Sequence, residues 1–225
     1  DFEPEHSHRV FRIMASDYAA STLIPALLKK LRTQAPGTSL DIMTPSDVTF
    51  HDVENGKVDM AINRFDQLPQ SFHQKTIWRD SFACLVNSLN PILGNFNLDT
   101  YLKAQHIWVS KTGFGVGVGM DPADVQKLGW VDEALAKFGK QRTISVFTRN
   151  YHVAMHLAVE TDLIATLPLR AALLYQNDAT MKVLDPPFPI PSIELKMIWS
   201  PLLHQDASHI WLRRLITEVA DELHL

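Results

Sequence analysis

The sequence predicts an α/β protein of two lobes, and three observations carry that expectation. Short apolar strands alternate with helices of one-sided hydrophobicity along most of the chain. The strand–helix–strand–helix–strand run from Val10 to Ile62 is followed, after the turn-like Asn90-Pro91, by a second run of the same kind. The stretch Asp185-Pro186-Pro187-Phe188-Pro189-Ile190-Pro191 reads as an extended connector to one last strand and helix. The chain then crosses between lobes twice. Residues 1–86 and 190–225 are expected to form the first lobe and residues 87–189 the second, with a ligand cleft between them. In open α/β sheets small molecules bind outside the carboxyl ends of the strands, where helix starts face the same crevice.

Phe11-Arg12-Ile13-Met14-Ala15 is the first strand, and Ser16-Asp17-Tyr18 is its turn. Leu23, Ile24, Leu27, Leu28 and Leu31 make the apolar stripe of one helix. Ser21 is read as its N-cap, Pro25 is tolerated in its first turn, and Lys29, Lys30 and Arg32 sit where the macrodipole favours cations. Pro36-Gly37 ends it. Residues 39–43 are the second strand, and Thr44-Pro45-Ser46-Asp47 is a turn with its own capping side chains. A short helix over residues 49–55 is stopped by Gly56 just past its end, and residues 58–62 are the third strand. Residues 76–86 read as two strand pieces broken near Arg79-Asp80.

In the second run, residues 106–110 are a strand and residues 111–119 a glycine-rich loop. Leu128, Val131 and Leu135 fall in register on a helix over residues 125–138, which Gly139 stops. Residues 142–147 are a strand, with Ile144 and Val146 alternating against polar neighbours. Thr148-Arg149-Asn150 leads into a helix carrying Val153, Ala154, Leu157 and Ala158. Residues 163–167 are a strand, Pro168 opens another helix, and residues 181–184 are a last short strand. After the connector come a strand over residues 193–199 and a helix over 207–223, with Leu212, Leu215, Ile216 and Val219 on one face. No internal repeat and no low-complexity segment is visible in the sequence.

Composition narrows the class. In 225 residues, 46% hydrophobic content is ordinary for a globular chain with a full core. The 21 basic and 25 acidic side chains leave a net charge of −4, which argues against nucleic-acid binding by this chain itself. No apolar stretch is long enough to span a bilayer. The opening residues are polar and acidic, unlike a secretory signal, and the start without Met reads as a piece of something longer. Cys84 is the only cysteine, so no internal disulfide is possible. Its place in Phe82-Ala83-Cys84-Leu85-Val86 predicts a buried small hydrophobe rather than a reactive thiol, which fits a cytoplasmic chain.

The order and spacing of several phrases resemble the effector-binding domain of LysR-type transcriptional regulators. The phrases are Phe11-Arg12-Ile13-Met14-Ala15-Ser16, Leu23-Ile24-Pro25-Ala26-Leu27-Leu28, Gln34-Ala35-Pro36-Gly37 and Gly56-Lys57-Val58-Asp59-Met60-Ala61-Ile62. Val131-Asp132 with Leu135, and Ala158-Val159 leading to Ile164-Ala165-Thr166-Leu167-Pro168, continue the match. It covers nearly all of the chain from residue 9 on. The tail, with Trp199, His204, Asp206, His209 and Trp211-Leu212-Arg213, looks most like the branch that senses aromatic acids or flavonoids. One departure stands out: Glu160-Thr161-Asp162 holds the place of the family's late glycine pair, which reduces backbone freedom there. The resemblance implies two Rossmann-like subdomains on the plan of type II periplasmic-binding proteins. It further implies a winged helix-turn-helix preceding residue 1, through which alone the intact regulator meets DNA. It implies a homodimer, tetrameric at full length, a small-molecule inducer, no cofactor and no membrane partner.

Four turns are candidates for the crevice. They carry Ser16, Asp17 and Tyr18; Thr44 and Ser46; Ser110 and Lys111; and Thr148, Arg149 and Asn150. Hydroxyls and backbone N–H groups at helix starts suit a carboxylate, and Lys111 and Arg149 add full charges. Asp17 opposes an anion and instead caps, pairs with a cation or meets a ligand amine. Tyr18, Phe65, Trp108 and Phe114 are candidates for an apolar wall. The bland alternative reads Ser16 and Thr148 as N-caps, Lys111 and Arg149 as solvated charges, and Trp108 as core.

Sharper motifs fail. Gly113, Gly115, Gly117 and Gly119 alternate, but Met120 stands where a dinucleotide loop needs glycine, and no Lys-Ser/Thr pair follows. His152 and His156 have zinc spacing without the metalloprotease Glu or a third ligand, so no metal is expected. His51 and Asp52 read as a solvated helix face. No nucleophile, acid or base set is defensible, and no enzyme is expected. The reading is thus an effector-sensing domain for a small carboxylate, aromatic or aliphatic, that shifts the pose of two lobes. A freestanding solute-binding protein and, behind it, an enzyme on the same scaffold (prephenate dehydratase-like) stay open.

Overall fold

In the computed structural model, residues 1–109 and 129–223 are described. The first elements are β1 (Val10–Ala15), α1 (Asp17–Thr22), α2 (Ile24–Gln34), β2 (Ser39–Met43), α3 (Phe50–Glu54), β3 (Met60–Asn63) and β4 (His73–Asp80). The single helix expected after β1 is two. Ser16, not Ser21, is the N-cap of α1, and Leu23 joins α1 to α2. Pro25 dictates the break, because it lacks an N–H and its ring collides with the carbonyl four residues back in a continuous helix. Ser21 lies inside α1, and its hydroxyl donates to the Asp17 carbonyl. Thr49 caps α3 through a reciprocal box with Asp52, and Gly56 takes φ +77° just beyond it. A Cβ at Gly56 is disfavoured by that backbone conformation rather than by crowding.

The chain continues through β5 (Phe82–Asn87), α4 (Leu98–Lys103), β6 (Gln105–Val109), α5 (Trp130–Ala136), β7 (Thr143–Thr148), α6 (Tyr151–Glu160), β8 (Ile164–Pro168), α7 (Leu169–Ala172) and β9 (Met181–Leu184). Helix α4 was not foreseen; Asn97 and Thr100 open it with a reciprocal capping box. These strands form one sheet in the order β7-β6-β8-β5-β9. Strands β7, β6 and β8 run parallel, and β5 lies antiparallel between β8 and β9. The last elements are β10 (Ile193–Trp199) and α8 (Ala207–Glu222). Strand β10 joins the first sheet, ordered β2-β1-β3-β10-β4, with β2, β1 and β3 parallel and β10 antiparallel to β3.

Two compact units result: residues 1–79 with 194–223, and residues 80–109 with 129–193. The expected boundary at residue 86 moves back to residue 79. Every side chain of β5 from Phe82 to Val86 is buried, and a strand of that kind needs a neighbour on each edge. Both of its neighbours, β8 and β9, belong to the second unit. The two sheets have equivalent topologies, a repeat of architecture that the sequence does not display.

The first unit's core gathers Met14, Val48, Val53, Val58, Ala61, Phe72 and Ile198. Asp59, buried at the start of β3, accepts the Arg12 N–H at 2.7 Å and an Arg9 Nη2–H at 2.6 Å. In the second unit Arg142 and Asp132 form a bidentate pair at 2.8 and 2.9 Å, both essentially dry. Removing one partner leaves a buried charge alone. Asp132→Ala is expected to destabilise the chain by about 3–5 kcal/mol, read from urea unfolding. A loss within experimental error of zero contradicts the pair's importance.

Candidate functional site

The candidate residues occupy comparable positions in their own units, at the carboxyl ends of the parallel strands. In the first unit Ser16 follows β1. Its Oγ accepts the Ala19 N–H at 3.2 Å, and its backbone N–H reaches the Ile62 carbonyl at 3.3 Å. A hydroxyl that accepts one N–H still carries a proton to donate. Asp17 begins α1, half-buried. Tyr18 turns into the core, and its hydroxyl accepts the Trp78 indole N–H at 3.0 Å. Phe65 packs against the core cluster around Met14 and Phe72.

Thr44 and Ser46 are exposed after β2. Their hydroxyls lie 2.8 Å apart, and Thr44 also donates its hydroxyl (2.7 Å) and its backbone N–H (3.2 Å) to Asp47. Those bonds hold the Asp47 carboxyl below its ordinary pKa. The turn is therefore satisfied internally and carries a negative charge that the sequence reading left out of account. Asn63, also missed, ends β3 beside this edge; it is buried, and its Oδ1 accepts the Arg64 N–H at 2.8 Å. The available signal was a polar residue closing the apolar run Met60-Ala61-Ile62.

In the second unit the N-cap of α6 is Asn150, not Thr148: the Asn150 Oδ1 accepts the Val153 N–H at 3.0 Å. Thr148 is still strand, paired with Val109, and its Oγ1 accepts the Asn150 N–H at 3.2 Å. Arg149 holds its guanidinium 5.0 Å from the centroid of the Trp108 ring. Trp108 is buried and also meets Phe147, so the ring is both core and the seat of a cation. Ser110, Lys111 and Phe114 lie outside the described residues, as does the glycine-rich loop. His152 and His156 are exposed on α6, and no group of three or more potential ligands gathers for a metal among the described residues.

A polar cluster under the second sheet involves Cys84, Tyr101, Thr166, Arg142 and His106. Thr166 Oγ1 lies 2.7 Å from the Tyr101 hydroxyl and 3.5 Å from Cys84 Sγ. Burial pushes the thiol up to about 12, with the Thr166 contact opposing only in part. Burial also raises the Tyr101 phenol, and with Arg142 it drives the His106 imidazole down to about 3. His106 is thus neutral, one ring nitrogen 2.6 Å from the Tyr101 carbonyl. The thiol, the phenol and the imidazole thus stay in their uncharged forms around one buried guanidinium.

The fold defines the class first. Two α/β units, each with a parallel triplet extended by an antiparallel strand, are the type II periplasmic-binding-like plan. Residues 4–221 match the family model of the LysR substrate binding domain, and the chain belongs to that family. It is similar to the HTH-type transcriptional regulator SyrM 1 of Sinorhizobium fredii, at 29% identity over 93% of this chain and 58% of that protein. It is also similar to the HTH-type transcriptional activator NahR of Pseudomonas putida, at 26% identity over 97% of this chain and 69% of that protein. The chain thus spans little more than half of SyrM 1 and about two thirds of NahR. Among solved structures, the regulatory domain of MexT from Pseudomonas aeruginosa matches with a TM-score of 0.76 and 30% identity, covering 95% of this chain and 98% of that one. The effector binding domain of QuiR in complex with shikimate shares the fold, with a TM-score of 0.73 at 13% identity over 97% of this chain and 100% of that one. The chain is the effector-binding domain of a LysR-type regulator. Among the described residues no helix is long and apolar enough to cross a membrane.

The expectation of an inert Cys84 leads to a direct check. An aromatic disulfide reagent at pH 8 is expected to leave the native thiol unlabelled and to react fully in urea, because the thiolate forms only once burial is lifted. Prompt stoichiometric labelling of folded protein overturns that account.

Proposed function

We propose that this chain senses a small carboxylate for a cytoplasmic DNA-binding regulator, whose DNA contacts lie in a separate winged helix-turn-helix. The observation that supports it best is the repeated placement of polar turns at the carboxyl ends of two parallel triplets: Ser16 and Asn63 in one unit, Thr148 to Asn150 in the other. The proposal sets the effector between the units. The Ser16 hydroxyl donates to the carboxylate, the Thr148 hydroxyl does the same from the second unit, and Arg149 supplies the charge over an indole face. The effector binding domain of QuiR in complex with shikimate, which shares the fold, is consistent with a cyclic acid. A ligand that binds two relative poses of the units unequally shifts their populations, and a few kcal/mol is sufficient. Ser16→Trp and Thr148→Trp are each expected to abolish the thermal stabilisation given by a cognate acid found in a screen of aromatic and alicyclic carboxylates. Retained stabilisation in both variants sinks the site as drawn.

The proposal includes a homodimer. Apolar side chains stand exposed on the outermost strand and adjoining helix of each sheet: Leu28 and Ile42 in the first unit, Phe147 and Val153 in the second. Single-chain surfaces seldom leave such residues on an open sheet edge. The double variant Leu28→Asp/Val153→Asp is expected to elute as a folded monomer where the parent elutes as a dimer, measured by light scattering. An unchanged mass for the variant rejects this face.

A further inference from the structure

The first unit holds a second concavity, at the opposite end of its sheet from Ser16. Strand β10 runs antiparallel to β3, with Lys196 opposite Asn63 and Ile198 opposite Ala61. Its last residue, Trp199, therefore lies toward the amino end of β3, whereas Ser16 lies beyond the carboxyl end of β1. Here edge strand β4, β10 and α8 line an open cavity of about 420 Å³. Lys75, Arg213 and Arg214 line it, with His204, Trp199 and Thr217.

Three cations in one cavity run against the chain's net charge of −4. The ion pairs of this unit engage other cations: Arg9 with Asp59, Lys30 with Glu218 and Glu222, Arg79 and Lys196 with Glu194. The carboxylate whose field reaches Arg213 is Asp206, and it is committed to capping α8 through Ser208 and the His209 N–H. Arg213 is held rigid. It lies over the Trp199 ring at 4.6 Å, donates to the His204 carbonyl at 2.9 Å, and donates to His209 Nδ1 at 2.6 Å. Since a guanidinium only donates, that His209 nitrogen is an acceptor, and His209 Nε2–H donates to the Asp59 carbonyl at 2.7 Å. His204 Nδ1 likewise accepts the Trp199 indole N–H at 3.1 Å, which leaves the proton of the neutral ring on Nε2 as a further donor. His73 stacks on that ring, centroids 3.7 Å apart and 3° from parallel. Burial, and after it the neighbouring Arg214, lowers the Arg213 pKa, with Asp206 opposing only in part.

We propose that this cavity binds a small organic anion carrying at least two negative charges. One fixed guanidinium, two cations on mobile stems and a neutral imidazole donor match several separated anionic oxygens, where a monocarboxylate answers only one cation. The concave shape takes a small molecule rather than a nucleic-acid backbone. This site is independent of the strand-end site proposed above.

Citrate is the probe, titrated calorimetrically into the whole chain at constant ionic strength, with benzoate as the monoanion. Saturable one-to-one binding of citrate is expected, with benzoate much weaker. Lys75 and Arg214 are exposed, so Lys75→Gln/Arg214→Gln leaves the fold intact, verified by an unchanged melting temperature, and weakens citrate by roughly tenfold or more. Ser16→Trp leaves citrate affinity unchanged. The inference is overturned by non-saturating citrate heats, by equal affinity for benzoate, by full affinity in the double variant, or by loss of citrate binding in Ser16→Trp.

Discussion

Each sheet depends on one strand that the chain delivers from outside its parallel run. A parallel triplet leaves a row of backbone N–H and C=O groups on its outer edge, and burying those groups unpaired is costly. In the first unit β10 pairs with that edge of β3, and in the second β5 pairs with that edge of β8. Strand β5 leaves β4 and at once enters the second sheet, while β10 returns only after the second unit is complete. The two crossings of the chain are thus the means by which each sheet is finished. Strand β5 begins opposite Pro168, the carboxyl end of β8, and β10 enters beyond Asn63, the carboxyl end of β3, on the side of each sheet that carries Thr148 or Ser16.

Two buried carboxylates fix the frames on which those turns sit. Asp59 ties the start of β3 to the backbone of β1 and to Arg9, while its carbonyl accepts the His209 Nε2–H from α8. Asp132 on α5 holds Arg142 at the mouth of β7. Each is a charge kept dry only by partners in good geometry, so each tolerates few alternative arrangements. The second pair also sets the field in which His106 stays neutral.

Polar groups in the first unit sort to opposite ends of one sheet. Hydroxyls and a buried amide occupy the carboxyl ends of β1 and β3, and guanidinia, an ammonium and stacked imidazoles occupy the other end. The chemistry differs accordingly. In the two proposals made above, the first end meets a single carboxylate with donors of low charge, and the second meets denser negative charge. At that second end His209 of α8 contacts both Arg213 and Asp59.

The amino-acid sequence by itself determined the fold class, the succession of strands and the family, because period, breakers and short phrases are legible within a few residues. Gly56 past α3 and the alternation along β7 are local facts, and they stand in the structure as read. Ser16 was legible as a cap for the same reason. Sheet partnership was left to the tertiary structure. Nothing within Phe82–Asn87 states that it pairs with β8 and β9 rather than with the strand preceding it, since an all-apolar strand fits any buried slot. Tyr18 in the core with Trp78, Thr148 ceding the cap to Asn150, and the three cations beside Trp199 belong to the same kind. They bring together residues far apart in the chain or choose between two neighbours of equal propensity, and only packing in three dimensions decides such matters.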